Sequence, residues 1–298
     1  MKIKNLVIIF SITFFFFNTA KTKDLEIAWE TDAKFELPES VIYDSKNEVL
    51  YVSNIVNHPF KKDSSGYISK ISLEGEILEL KWVDSLNAPK GLTIVPASKP
   101  EESDKLFIAD IDELVEVDLS TGKITAKYKG VGAVCFNDVT HDKYGNVYVG
   151  DTYTDSIYRL NQFSQLPLWL NSPNLAPNGI HIENDNMIVG SWGSLMEGWG
   201  TPIKAGNLKL IDLTSKKVRN LGPDKSIGNL DGVEADGNGS FYVTDWSSGN
   251  VLRITKNGRS EVLKTLGKGA ADHEVIIDKN LILVPVMTEG KVVALKIK

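Results

Sequence analysis

From residue 136 the chain reads FNDVTHDKYGNVYVGDT: apolar and polar residues alternate, a polar turn interrupts, and the alternation resumes. Such period-2 runs, rich in Val, Ile, Tyr and Leu, place one strand face in a core and the other outside it. The same outline returns as PESVIYDSKNEVLYVSNI, PKGLTIVPASKPEESDKLFIADI, PNGIHIENDNMIVGSW, LDGVEADGNGSFYVTDW and DHEVIIDKNLILVPVM. Behind each copy a loop leads to a further alternating run (GYISKISL, DELVEVDL, DSIYRLNQ, GNLKLIDL, GNVLRITK, GKVVALKI), often trailed by a short extended piece such as EILEL or EVLKT. Each unit predicts a four-stranded antiparallel meander, and the copies fill residues 38 to 298.

Glu39, Lys90, Asn137, Asn178, Asp231 and His273 occupy equivalent positions, spaced by 51, 47, 41, 53 and 42 residues. Repeats of this length build propellers or solenoids, and four strands per repeat selects the propeller, whose blades close a ring and protect their edges. The expected fold is all-β: a six-bladed β-propeller of four-stranded antiparallel blades, one domain over residues 21–298.

Two places after the aligned residue stand Val41, Leu92, Val139, Ile180, Val233 and Val275, an apolar column expected between blades. One place further, Ile42, Thr93, Thr140, His181, Glu234 and Ile276 suit a narrow central channel. The aligned residues themselves are expected in the loops entering the inner strands, converging on the axis at one end. Asn and Asp are also ordinary turn formers, so any single member is explained locally. Four oxygen-bearing side chains in equivalent places are not. Two carboxylates (Glu39, Asp231) and two amides (Asn137, Asn178) make a hard-oxygen set that balances a divalent cation, with water completing the six to eight oxygens that calcium takes. The absence of thiolates and the single imidazole argue against zinc or copper.

The formal charge of −6 and pI near 5.4 exclude a general basic field, and with it wholesale binding of nucleic acid or anionic lipid. MKIKN, then LVIIFSITFFFF, then NTAKTKD has the basic, apolar, small-residue order of a secretory signal, too short to span a membrane. Residues 1–20 are expected to be a signal peptide cut after Ala20, giving an exported, periplasmic or secreted protein with no membrane attachment. Cys135 is the only cysteine, so no intramolecular disulfide forms, and it reads as a small buried residue.

PES, FNDV followed by DKYGNVYVGDT, PNGI, and LDGVEADGNGSFYVTDW resemble the SMP-30/gluconolactonase/LRE family of six-bladed propellers, related to diisopropylfluorophosphatases and paraoxonases. The resemblance covers essentially the whole mature chain. It implies a central divalent metal, usually calcium with magnesium or manganese as alternatives, held by Glu39, Asn137, Asn178 and Asp231. It also implies hydrolysis of lactones and related esters, with Asp231 as general base or nucleophile. His273 is a rival for the proton transfer because imidazole titrates near neutrality.

Lys90 is expected either to anchor an anionic or hydroxylated substrate or to pair with Glu39 or Asp231. Asp138, Asp110, Asp151 and Asp245 stand beside the ring or at the ends of second strands, as ligand-orienting or turn residues, and His141 reads as structural. Two insertions could wall the pocket: VNHPFKKDSS with His58 and Phe60, and GSLMEGWGTPIKA with Trp192, Met196 and Trp199, of which Trp192 is the expected substrate contact. Lys90 and His273 depart from an all-oxygen ring. Two other readings stay open: a non-catalytic propeller that binds a protein or glycan around a structural metal, and a strictosidine synthase-like propeller that does not use this metal ring.

Overall fold

A computed structural model describes residues 25–194 and 204–297. The signal-peptide segment 1–20 and the insertion residues Met196 and Trp199 lie outside the described residues. Six antiparallel sheets of four strands form the blades of a propeller. The inner strands are Pro38–Asp44, Pro89–Val95, Phe136–His141, Pro177–Glu183, Leu230–Ala235 and Glu274–Ile276. Five blades are continuous meanders, as the repeats predict.

The sixth differs from the expected meander. Its repeat supplies three strands, and the outer strand is Glu26–Glu30 from the start of the chain, antiparallel to Lys291–Lys296 with Ile27 opposite Leu295. The first and last strands thus close the ring and hide the edge that a three-stranded blade would expose.

The core is divided among the seams between blades. Tyr51 and Ile68 meet Leu106 and Ile108 between blades one and two, and Tyr148 and Ile157 meet Ile180 and Val189 between three and four. Phe35 and Val41 meet Leu283 and Ala294 across the closing seam. Val41, Leu92, Val139, Ile180 and Val233 are buried, as the column predicts, whereas Val275 is only half-buried. In that short inner strand Ile276 takes the seam position against blade one. Ile42 likewise packs into a seam. These two leave the channel column because an apolar side chain gains more between sheets than in a wet channel.

Candidate functional site

The aligned residues sit inside the inner strands, not in the loops ahead of them; only His273 precedes its strand. The other five each lie on a β-bulge. Pro38 pairs with Asn54 but Val41 with Val52, so three steps on the inner strand match two on its neighbour. The same slip recurs at Pro89/Leu92, Phe136/Val139, Pro177/Ile180 and Leu230/Val233. A bulge kinks the strand and re-aims a side chain. Here it turns Glu39, Lys90, Asn137, Asn178 and Asp231 into one cavity of about 290 Å³ at the ring's mouth.

In blades two to five the residue after the ring position packs on the next blade. Asn137 faces the cavity, while the Asp138 carboxylate accepts from its own neighbour Val139 N at 2.7 Å and across the seam from Ile180 N at 2.6 Å. Gly179 and Gly232 fill the matching places in blades four and five. A β-carbon on Gly179 would run into the carbonyl of Asp231, and one on Gly232 into the His273 ring. In blade one, Ser40 Oγ donates to Asp272 Oδ2 at 2.6 Å. The recurring Asp residues fasten the loops before the inner strands: Asp110 accepts from Ala88 N at 2.7 Å, Asp151 from Val134 N at 2.6 Å, and Asp245 from Asn229 N at 3.2 Å.

Three ring oxygens, Glu39 Oε2, Asn178 Oδ1 and Asp231 Oδ1, are buried without a hydrogen-bond partner. A buried polar atom left so costs about 1–3 kcal/mol, and here they come from three blades into one cavity. Burial first, then repulsion from Asp231 and Asp272, drives the Glu39 carboxyl well above the usual range, with Lys90 opposing. Asp231 is raised by burial and by Asp272, against a hydrogen bond from Asn178. Among the described residues no three His, Cys, Asp or Glu side chains gather as a metal-holding group. A cation here would draw half its protein donors from amides. Hard oxygens with unspent lone pairs fit calcium or a similar divalent ion.

Lys90 is buried, and its Nζ donates to the carbonyls of Pro59 at 3.1 Å and Ala88 at 3.0 Å. Its partners are backbone carbonyls, not the carboxylates considered from the sequence. His273 does not line the cavity. It lies behind Gly232 with neither ring nitrogen partnered, and burial pushes its pKa down to about 4. Cys135 is on the cavity wall, but burial pushes its thiol up to about 12, so it is inert.

The first insertion walls the cavity, as does the residue that precedes the second. Pro59 and Phe60 come from the first, and Trp192 immediately precedes Gly193, where the second begins. Sequence reasoning missed Tyr153, Trp246, Ser247, Lys268 and Met287 as lining residues. Two carried a signal: Tyr153 and Trp246 follow the recurring Asp151 and Asp245 by one or two places.

The SMP-30/Gluconolactonase/LRE-like region matches residues 37–266, from the first inner strand through blade five. The chain belongs to this family. No curated protein matches it in sequence. Among solved structures, this SMP-30/gluconolactonase/LRE-like propeller is similar to a gluconolactonase from Xanthomonas campestris, with 13% identity over 89% of this chain and 87% of that one, TM-score 0.66. It is similar to a virginiamycin B lyase from Staphylococcus aureus at 14% identity over 92% and 100%, TM-score 0.62. A luciferin-regenerating enzyme matches at 14% identity over 88% and 92%, TM-score 0.60. Identities this low establish the shared fold, and the activity must be argued from the site.

Proposed function

We propose that the protein is a divalent-metal-dependent hydrolase of lactones or related esters, with calcium the favoured ion. The observation that carries this is the convergence of the unpartnered oxygens of Glu39, Asn178 and Asp231 on one walled cavity, with Asn137 beside them. These four residues would hold the ion. When bound, it supplies a Lewis acid and a counter-charge for a developing oxyanion.

Asp231 takes the proton from the attacking water. Its carboxylate reaches the cavity and Oδ1 has no hydrogen-bond partner, so a lone pair is available to accept the proton. His273 is disfavoured for that role because it lies behind Gly232, off the cavity wall, and burial lowers its affinity for a proton. Lys90 and Trp192 contact the substrate, and the apolar wall limits competing water.

Purified protein assayed on a panel of lactones and aryl esters, with calcium or with chelator, tests this. The expected outcome is turnover that chelator abolishes and calcium restores, lost in Asp231→Ala and retained in His273→Ala. Chelator-sensitive melting with no turnover would sink the hydrolase and leave a propeller held by a structural ion. Turnover indifferent to chelator would remove the ion from the reaction.

A further inference from the structure

The cavity's wall differs in chemistry from its floor. Above the ring residues stand Ile55, Phe60, Tyr153, Trp192, Trp246 and Met287. Phe60 and Tyr153 meet edge to face, 5.2 Å between centroids, and Trp192 meets Trp246 at 5.9 Å. The one N–H of the Trp246 indole is spent on Met287 Sδ at 3.1 Å, and Asn229 Nδ2 ties the Trp192 carbonyl at 2.9 Å. These rings are held in place, and they offer faces and edges more than hydrogen bonds.

A polyhydroxylated ring needs a matching array of side-chain donors and acceptors, because each hydroxyl taken from water must be re-bonded. The wall holds few. The Thr152 hydroxyl already donates to the Pro177 carbonyl at 2.6 Å, which leaves Ser247, the Tyr153 phenol, the Trp192 indole N–H and the Lys268 ammonium besides the ring residues.

Charge narrows the ligand further. On the hydrolase reading, a divalent ion cancels Glu39 and Asp231, and Lys90 remains as the buried charge among the ring residues. Its ammonium has three donors, two of them committed to neutral carbonyls. A buried cation without a counter-ion is costly, so a ligand carboxylate is the natural complement. At the rim Lys268 Nζ lies 5.0 Å from the centroid of the Trp246 ring, a second positive charge on the approach.

We propose that the cavity, read as the substrate site above, takes a compound with a flat apolar or aromatic body and a carboxylate, in place of a polyhydroxylated sugar lactone. The carboxylate meets Lys90, and the body lies among Phe60, Tyr153, Trp192 and Trp246.

Binding and turnover are measured separately, in saturating calcium. Chroman carboxylate and chroman carboxamide, which cannot be hydrolysed, are titrated by calorimetry; a carboxylated dihydrocoumarin, its carboxamide and glucono-δ-lactone are assayed for hydrolysis. Wild type is expected to bind the chroman carboxylate about 10- to 100-fold more tightly than the carboxamide, as a charge-assisted hydrogen bond gives. Lys90→Met should erase that ratio in protein that still melts cooperatively, a few degrees lower because the Pro59 and Ala88 carbonyls lose their donor. Phe60→Ala should weaken both chromans by about tenfold.

Equal binding of the two chromans, or a wild-type ratio in Lys90→Met, overturns the proposal. So does faster hydrolysis of glucono-δ-lactone than of the carboxylated dihydrocoumarin, and in that case the hydrolase reading survives. Selective carboxylate binding with no lactone hydrolysed supports this ligand class and removes the hydrolase.

Discussion

The two mouths of the central channel share four inner strands and end in opposite chemistry. At the upper mouth Glu39, Asn178 and Asp231 keep buried oxygens without partners. Three residues along, about 10 Å at the rise of a strand, Thr93, Thr140, His181 and Glu234 line a cavity at the other end. There the polar groups serve one another: His181 Nδ1 meets Glu234 Oε2 at 2.9 Å, and Thr93 Oγ1 meets His141 Nδ1 at 2.9 Å. A fold satisfies its buried polar groups wherever nothing else is to be bound, so the mouth that leaves oxygens unspent is the one where a ligand is expected.

The largest effects belong at the upper mouth. Asp231→Asn keeps the shape and removes the base, and kcat/KM on the best lactone should fall by about 100- to 10,000-fold. If the rate stays within a few-fold of wild type, Asp231 is not the proton acceptor. Glu39→Gln should act on the ion more than on chemistry, so that activity returns as calcium is raised and the melting-temperature gain from calcium shrinks.

Acidity gives a third handle on the comparison. Burial raises the carboxyls of Glu39, Asp138 and Asp231, and pushes Asp272 to about 7 and Glu274 to about 8. The folded chain then holds protons that the unfolded chain releases near pH 4, so stability from these groups is lost as pH rises toward 8. His273 opposes this below its ordinary value of 6.5, since the unfolded imidazole takes a proton that the folded one refuses until about 4. One imidazole is outweighed by five carboxyls. Ion-free protein should therefore melt higher at pH 5.5 than at pH 8, by on the order of 5 °C. Calcium should flatten that slope by holding Glu39 and Asp231 ionised. Identical slopes with and without calcium would mean that the ion does not bind this mouth.

The sequence made the blades legible because period and spacing are local properties that repeat. It also made the ring legible, because Glu39, Asn137, Asn178 and Asp231 stand at one place in each repeat. The bulges were not legible, since an extra residue in a pairing shows only once both strands are known. Closure of blade six was hidden for a similar reason. EIAWE is too short to declare itself, and its partner lies some 265 residues away, so the repeat pattern assigned blade six four strands of its own. That closure bears on the expected export: a cut after Ala20 leaves Leu25, which donates to the Leu263 carbonyl, and the Glu26–Glu30 strand in the mature chain. Edman sequencing of exported protein should begin at Lys21; a start beyond residue 26 would remove the strand that closes the ring.

The smallest effect is expected at the lower mouth, and it is small because two terms oppose. Burial pulls the His181 pKa down, but Glu234 at 2.9 Å, helped by Glu183 and Glu274, outweighs it and holds the imidazole above its ordinary value. Stability from that pair is present below the unfolded value and is lost as pH rises through the folded one. Glu234→Gln removes the pair, yet it also removes a negative charge that pushes up Asp272 and Glu274. Both partners are partly open to water, which screens the pair. The net change should lie within about 1 kcal/mol, with lactone turnover unchanged. The His181 resonance followed by NMR against pH should nevertheless move its midpoint downward. A drop in turnover comparable to that of Asp231→Asn would mean that the two mouths act as one site, and the contrast between spent and unspent polar groups would no longer locate the chemistry.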